Sequence, residues 1–127
     1  MIRLANKLTR KSIDEVNTLG EKSLNHYTSL FKYLDEEMKK NPESSIEDYS
    51  TLITLKLNAA RISSKLSYAE KQRNVNALTL ALRLYEEVDK LFKSTNIMKQ
   101  SAFLEEQNKL CQEMINMLPV KISKINS

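Results

Sequence analysis

A chain of 127 residues with one glycine and two prolines has few ways to turn. Hairpins draw on Gly, Pro, Asn and Asp for their tight turns. Phosphate loops and dinucleotide folds need several glycines close together. Only Gly20 is available, so those chemistries lose their backbone hardware. What remains is a set of long helices joined by few connections, and the expected class is all-α.

The length fits one domain. Apolar residues at 41% and charged residues at 28% are ordinary for a globular chain and too apolar for disorder. A lone cysteine, Cys111, cannot form an internal disulfide, so nothing points to an oxidising compartment. No apolar run approaches the roughly 20 residues that span a bilayer, and the N-terminus lacks a continuous apolar stretch of the secretory kind. The expected location is intracellular and cytoplasmic. The net charge of +4 sits at the ends. Residues 1–11 carry Arg3, Lys7, Arg10 and Lys11 with no acid, and residues 119–127 carry Lys121 and Lys124, which leaves 12–118 at −2. The chain therefore divides into a basic arm (1–11), a helical body (12–118) and a basic tail (119–127).

Apolar or small residues recur at Ile13, Val16, Gly20, Leu24, Tyr27, Phe31, Leu34 and Met38, in steps of three and four that make one helical stripe. Ser12-Ile13-Asp14-Glu15 reads as a capping box at the start of that helix. Lys39-Lys40-Asn41-Pro42 reads as its end: lysines favour the negative end of the macrodipole, Asn41 tolerates a left-handed conformation, and Pro42 disfavours helix before it. The first helix is expected over 13–40. Gly20 on the stripe costs about 1 kcal/mol against alanine, so close approach by a neighbour is its expected purpose. Ser44-x-x-Glu47 is a second capping box and opens a helix over 45–72. That helix carries two interleaved stripes, one through Ile53 and Leu57 and one through Leu52 and Ala59, which places it at the centre of a bundle. Polar residues fill the stripe positions at Gln72–Asn76, where a bend or break is expected, although a continuous helix remains open. A third helix, again apolar on two sides, is expected over 76–94, and a fourth over 97–118, capped by Ser94-Thr95-Asn96 and ended by Pro119. The architecture expected is an antiparallel bundle of about four helices with short basic termini.

Chemistry-bearing residues are sparse. His26 is the only histidine, and Ser23 stands where a di-iron bundle would need Glu three residues before it. One His and one Cys cannot build a structural zinc site. Cys111 has no His or Lys at three or four residues' distance to lower its pKa, and it shares a face with Ile115 and Leu118, so it reads as a small buried hydrophobe. The pairs Glu36-Glu37, Glu86-Glu87 and Glu105-Glu106 border apolar stripes beside basic residues and read as solvated faces. Met98, Met114 and Met117 cluster in the last helix, as core filler or as an adaptable groove. No nucleophile–base pair or metal set can be assembled, so neither enzyme nor cofactor is expected. The arm, with Ile2, Leu4, Ala5 and Leu8 between its four cations, suits an anionic membrane, nucleic acid or an organellar presequence, or is an arm without a specific role.

Ala81-Leu82-Arg83-Leu84-Tyr85-Glu86-Glu87 resembles the second helix of tetratricopeptide-type or microtubule-interacting-and-transport helical hairpins. Those modules bind peptides or helices in grooves between helices, and the likeness spans about fifteen residues without meeting the Gly, Trp and Pro positions of the tetratricopeptide pattern. The function expected is a non-catalytic interaction module: an adaptor, a small export or assembly chaperone, or a subunit of a larger complex, with homo- or hetero-oligomers possible. Leu24, Tyr27, Phe31 and Leu34, together with Met114 and Met117, are the expected partner-binding residues; Arg3, Lys7, Arg10 and Lys11 form the electrostatic arm. The alternative is a nucleic-acid-binding accessory protein acting through its basic termini.

Overall fold

The computed structural model describes residues 2–41, 43–95 and 101–127, with side chains from Glu15 onward. It is 89% helical, with four helices and no strand among the described residues. They are α1 (Ile2–Lys40), α2 (Ile46–Lys65), α3 (Lys71–Ser94) and α4 (Ala102–Asn126). Each helix packs chiefly on the next in sequence, α1 on α2, α2 on α3 and α3 on α4. Short connections at 41–45 and 66–70 make these neighbours antiparallel. The bundle is therefore a serial array with two inner helices and two outer ones.

The inner helices carry the core. Leu52, Ile53, Leu57, Ala59 and Ala60 of α2 are all buried, on the two sides the paired stripes predict. Leu78, Ala81, Leu84, Tyr85 and Val88 of α3 join them in one cluster, with Leu24 and Phe31 from α1 and Leu104, Cys111 and Leu118 from α4. Ser63 is fully buried and donates its hydroxyl to the Ala77 carbonyl at 2.7 Å, a polar joint between α2 and α3 that satisfies both groups.

Several boundaries differ from the sequence expectation. α1 does not begin at Ser12; it is helical from Ile2. Nothing in residues 2–11 breaks a helix, so the capping-box pattern at Ser12 lies inside one. α1 ends at Lys40 as expected, but Asn41 is not left-handed, since no described non-glycine residue has a positive φ. Asn41 instead accepts the Glu43 N–H through Oδ1 at 3.1 Å. The second capping box is one residue later than expected. Ser45 Oγ accepts from the Asp48 N–H at 3.2 Å, and Asp48 Oδ2 accepts from the Ser45 N–H at 3.0 Å, while Ser44 is buried and donates to the Asn41 carbonyl at 3.0 Å.

α2 ends at Lys65 rather than 72, and Gln72–Asn76 belongs to the first turns of α3. α4 begins at Ala102 behind Ser101, whose hydroxyl accepts the Leu104 N–H at 3.3 Å; the expected start at 97 and the candidate cap Asn96 lie outside the described residues. Pro119 does not end α4, which continues to Asn126. A proline inside a helix leaves one backbone carbonyl without its amide. Beyond it, Ile122 and Ile125 follow buried Leu118 onto the core, and that apolar burial offsets the lost bond.

Candidate partner-binding surface

The structure divides the expected binding residues. Leu24 (9% exposed) and Phe31 (8%) are core residues, with Tyr27 and Leu34 partly buried against the same cluster. Their stripe holds α1 to α2. Among the described residues, the large apolar side chains that α1 leaves exposed are Val16, Leu19, Leu30 and Tyr33. At about 100° per residue these share a stripe flanking the core-facing one. Among the described residues, exposed large hydrophobics occur only on the outer helices: these four, and Phe103, Leu110, Met117 and Val120 on α4.

Of the predicted methionines, Met114 lines a groove. Met114 is partly buried and Met117 exposed; Met98 lies outside the described residues. Phe103, Leu110 and Met117 recur every seven residues and so share one side of the helix. Leu110, Glu113 and Met114 form one wall of a groove of about 330 Å³ between α2 and α4, and Arg61, Ser64 and Lys65 of α2 form the other. Its floor is Leu57, Tyr85 and Cys111, all buried. Arg61 donates to Gln107 Oε1 at 3.2 Å, and no carboxylate pairs with Arg61 or Lys65 among the described residues. The groove thus sets two apolar side chains and the Glu113 carboxylate of α4 opposite two cations of α2, a combination suited to an amphipathic segment whose acidic residues lie along the α2 edge.

The remaining candidates fall where their packing puts them. Cys111 is fully buried. Its Sγ donates to the Tyr85 carbonyl at 2.8 Å, and burial, with the Asp89 charge second, pushes the thiol up to about 12. It is an inert thiol at neutral pH. His26 is exposed, its ring 6.4 Å from that of Tyr27. No group of three or more His, Cys, Asp or Glu among the described residues could hold a metal. Glu36, Glu37, Glu86, Glu105 and Glu106 are exposed as expected. Glu87 departs from the solvated-face reading: its Oε2 lies 3.2 Å from the Lys56 ammonium, which is almost buried and sits 5.5 Å over the Phe31 ring. Lys56 therefore ties α1, α2 and α3 together. The side chains of Arg3, Lys7, Arg10 and Lys11 lie outside the described residues, while Lys121 and Lys124 are exposed on the last turns of α4.

A polar cluster that the sequence reading did not single out binds the α2–α3 connection to α1. Asn17 grips the backbone of Ser67 at both ends, accepting its N–H at 3.2 Å and donating to its carbonyl. Asn74 does the same to Tyr68, each bond 2.7 Å long. The Tyr68 hydroxyl donates to Glu21 Oε1 at 2.5 Å. Arg73 reaches the same oxygen at 3.3 Å, with its guanidinium 3.9 Å from the Tyr68 ring centroid. Burial, then the hydrogen bond and charge of Glu21, hold the Tyr68 phenol above its usual range. Gly20 belongs to this contact: a β-carbon there would come within 2.9 Å of Leu66 Cδ2, which fits the close approach expected of it.

The family described as KIF-1 binding protein C terminal matches residues 1–125. No curated protein and no solved structure matches the chain.

Proposed function

The chain belongs to the KIF-1 binding protein C-terminal family, and we propose that it is a non-catalytic helical adaptor that takes a protein partner in the groove between α2 and α4. The family's name supports a protein partner and makes KIF-1 the first to test. The observation that supports the placement is the groove itself, where Leu110 and Met114 of α4 stand opposite two cations of α2 without carboxylate partners among the described residues. Leu110 and Met114 in the groove, with Met117 beyond it on the same side of α4 as Leu110, supply adaptable apolar contact, and Arg61 and Lys65 select an acidic edge on the partner. The core-facing stripe of α1 plays no direct part in this reading.

The test is binding of purified KIF-1 by calorimetry. The double change Leu110→Ala and Met117→Ala should weaken affinity about tenfold or more while leaving helix content by circular dichroism unchanged, because both side chains are already substantially exposed. Unchanged affinity would remove the groove as the site. Charge reversal of Lys65 to Glu should weaken binding most at low salt.

A further inference from the structure

We propose that Tyr68 is a phosphorylation site, and that its modification releases the first half of α1 from the rest of the array. Tyr68 lies in the connection 66–70, with Ser67, Ala69 and Glu70 exposed around it. A kinase must lay a phenol and its flanking backbone into a cleft; here the backbone of Ser67 and Tyr68 is held by two amide side chains, Asn17 and Asn74, which can let go without unwinding a helical ladder. Tyr33 is more exposed than Tyr68 but stands inside α1.

The second step is the chemistry of the hydroxyl. In the active site of a protein-tyrosine kinase, Tyr68 Oη would attack the γ-phosphorus of a nucleoside triphosphate. A P–O bond forms at Oη as the bond to the β-phosphate oxygen breaks, nucleoside diphosphate departs, and the phenol proton passes to the kinase's catalytic carboxylate. The product carries a charge of about −1.5 to −2 where a donated hydrogen had been. Glu21 Oε1, which accepted that hydrogen at 2.5 Å, then faces a like charge. Arg73 stands against the ring and shares Glu21 Oε1 and Glu70 Oε2 at 3.3 and 3.7 Å. Its fork suits a phosphate better than a lone carboxylate oxygen. Glu21 would lose both of its partners.

The third step is what Glu21 holds. Asn17, Gly20 and Glu21 fasten the first half of α1 to the α2–α3 connection, whereas Leu24 and Phe31 fasten the second half through the core. A phosphate at Tyr68 therefore acts on one half of the helix and spares the other.

The test uses the whole chain, a protein-tyrosine kinase catalytic domain and magnesium ATP. Mass spectrometry should find phosphate on Tyr68 ahead of Tyr33. Hydrogen exchange at residues 15–23 should then quicken about tenfold or more, the scale expected when charged hydrogen bonds are lost, while residues 75–88 of α3 stay unchanged. Glu21→Gln removes the opposing charge, so the phosphorylated variant should exchange closer to its own unmodified form. Failure to modify Tyr68 in the folded chain would overturn the proposal. So would phosphorylated protein whose α1 exchanges as slowly as before, or an identical response in Glu21→Gln.

Discussion

α2 and α1 are both long amphipathic helices, yet they are held in different ways. α2 has neighbours on two sides and buries apolar residues toward both. α1 packs on α2 through one stripe, is pinned near its middle by the polar cluster around Tyr68, and leaves a second apolar stripe open. The difference teaches where each kind of property resides in a serial array. Buried apolar side chains concentrate in the inner helices, each of which has two neighbouring helices. Among the described residues, exposed apolar surface concentrates on the outer helices, which bury one side only and present the rest.

The largest effects should come from the centre. Leu57→Ala and Leu84→Ala should each cost about 2–5 kcal/mol in denaturant unfolding, the range for truncating buried leucines. Leu19→Ala on the open side of α1 should stay within about 0.5 kcal/mol. Comparable losses at all three sites would erase the distinction between inner and outer helices.

The ties between helices come next. Glu87→Ala leaves the Lys56 ammonium almost buried without its carboxylate and should cost about 1–3 kcal/mol. Asn17→Ala strands both backbone groups of Ser67, and about 1–2 kcal/mol should be lost there, with faster hydrogen exchange in the first half of α1. If Asn17→Ala instead loosens α3 and α4, the polar cluster is not specific to α1.

The helix starts sharpen the comparison at a smaller scale. Ser45→Ala removes an acceptor for an exposed first-turn amide of α2 and should cost about 1 kcal/mol. Ser12→Ala, at the residue that opens the capping-box pattern in the sequence, should change the melting point little, because Ser12 lies within α1 rather than at its start. A loss of about 1 kcal/mol at Ser12 would mean that the helix begins there after all. The Cys111 thiol is pushed from an ordinary value of 9.0 to about 12 in the folded chain. Its contribution to stability is therefore complete below the unfolded pKa and is lost as pH rises from about 9 toward about 12. Cys111→Ala should flatten that part of the stability–pH curve.

The sequence was most legible where many residues vote together. Steps of three and four over α1, and paired stripes over α2 and α3, are repeated signals that local exceptions do not cancel. It was least legible where structure depends on one distant contact. No Gly or Pro marks the end of α2; the connection at 66–70 is stabilised by Asn17 and Asn74, and Asn17 is fifty residues away from Ser67. The polar run Gln72–Asn76 looked like a break because the α3 stripe begins only at Val75. Pro119 looked like a stop because the burial of Ile122 and Ile125 is a tertiary fact. The same limit explains the binding residues. Periodicity finds an apolar stripe on α1 but cannot say that α2 already occupies it, and the groove residues Arg61, Lys65 and Leu110 come from separate helices with no shared spacing.

Hydrogen exchange on the chain with and without saturating KIF-1 tests the central claim most directly, because it reads inner and outer helices at once. The account predicts new protection along 103–120 of α4 and 57–65 of α2, with little change at the already protected residues 75–88 of α3. Protection confined to α3, or to the core-facing stripe of α1 with none on α4, would contradict it.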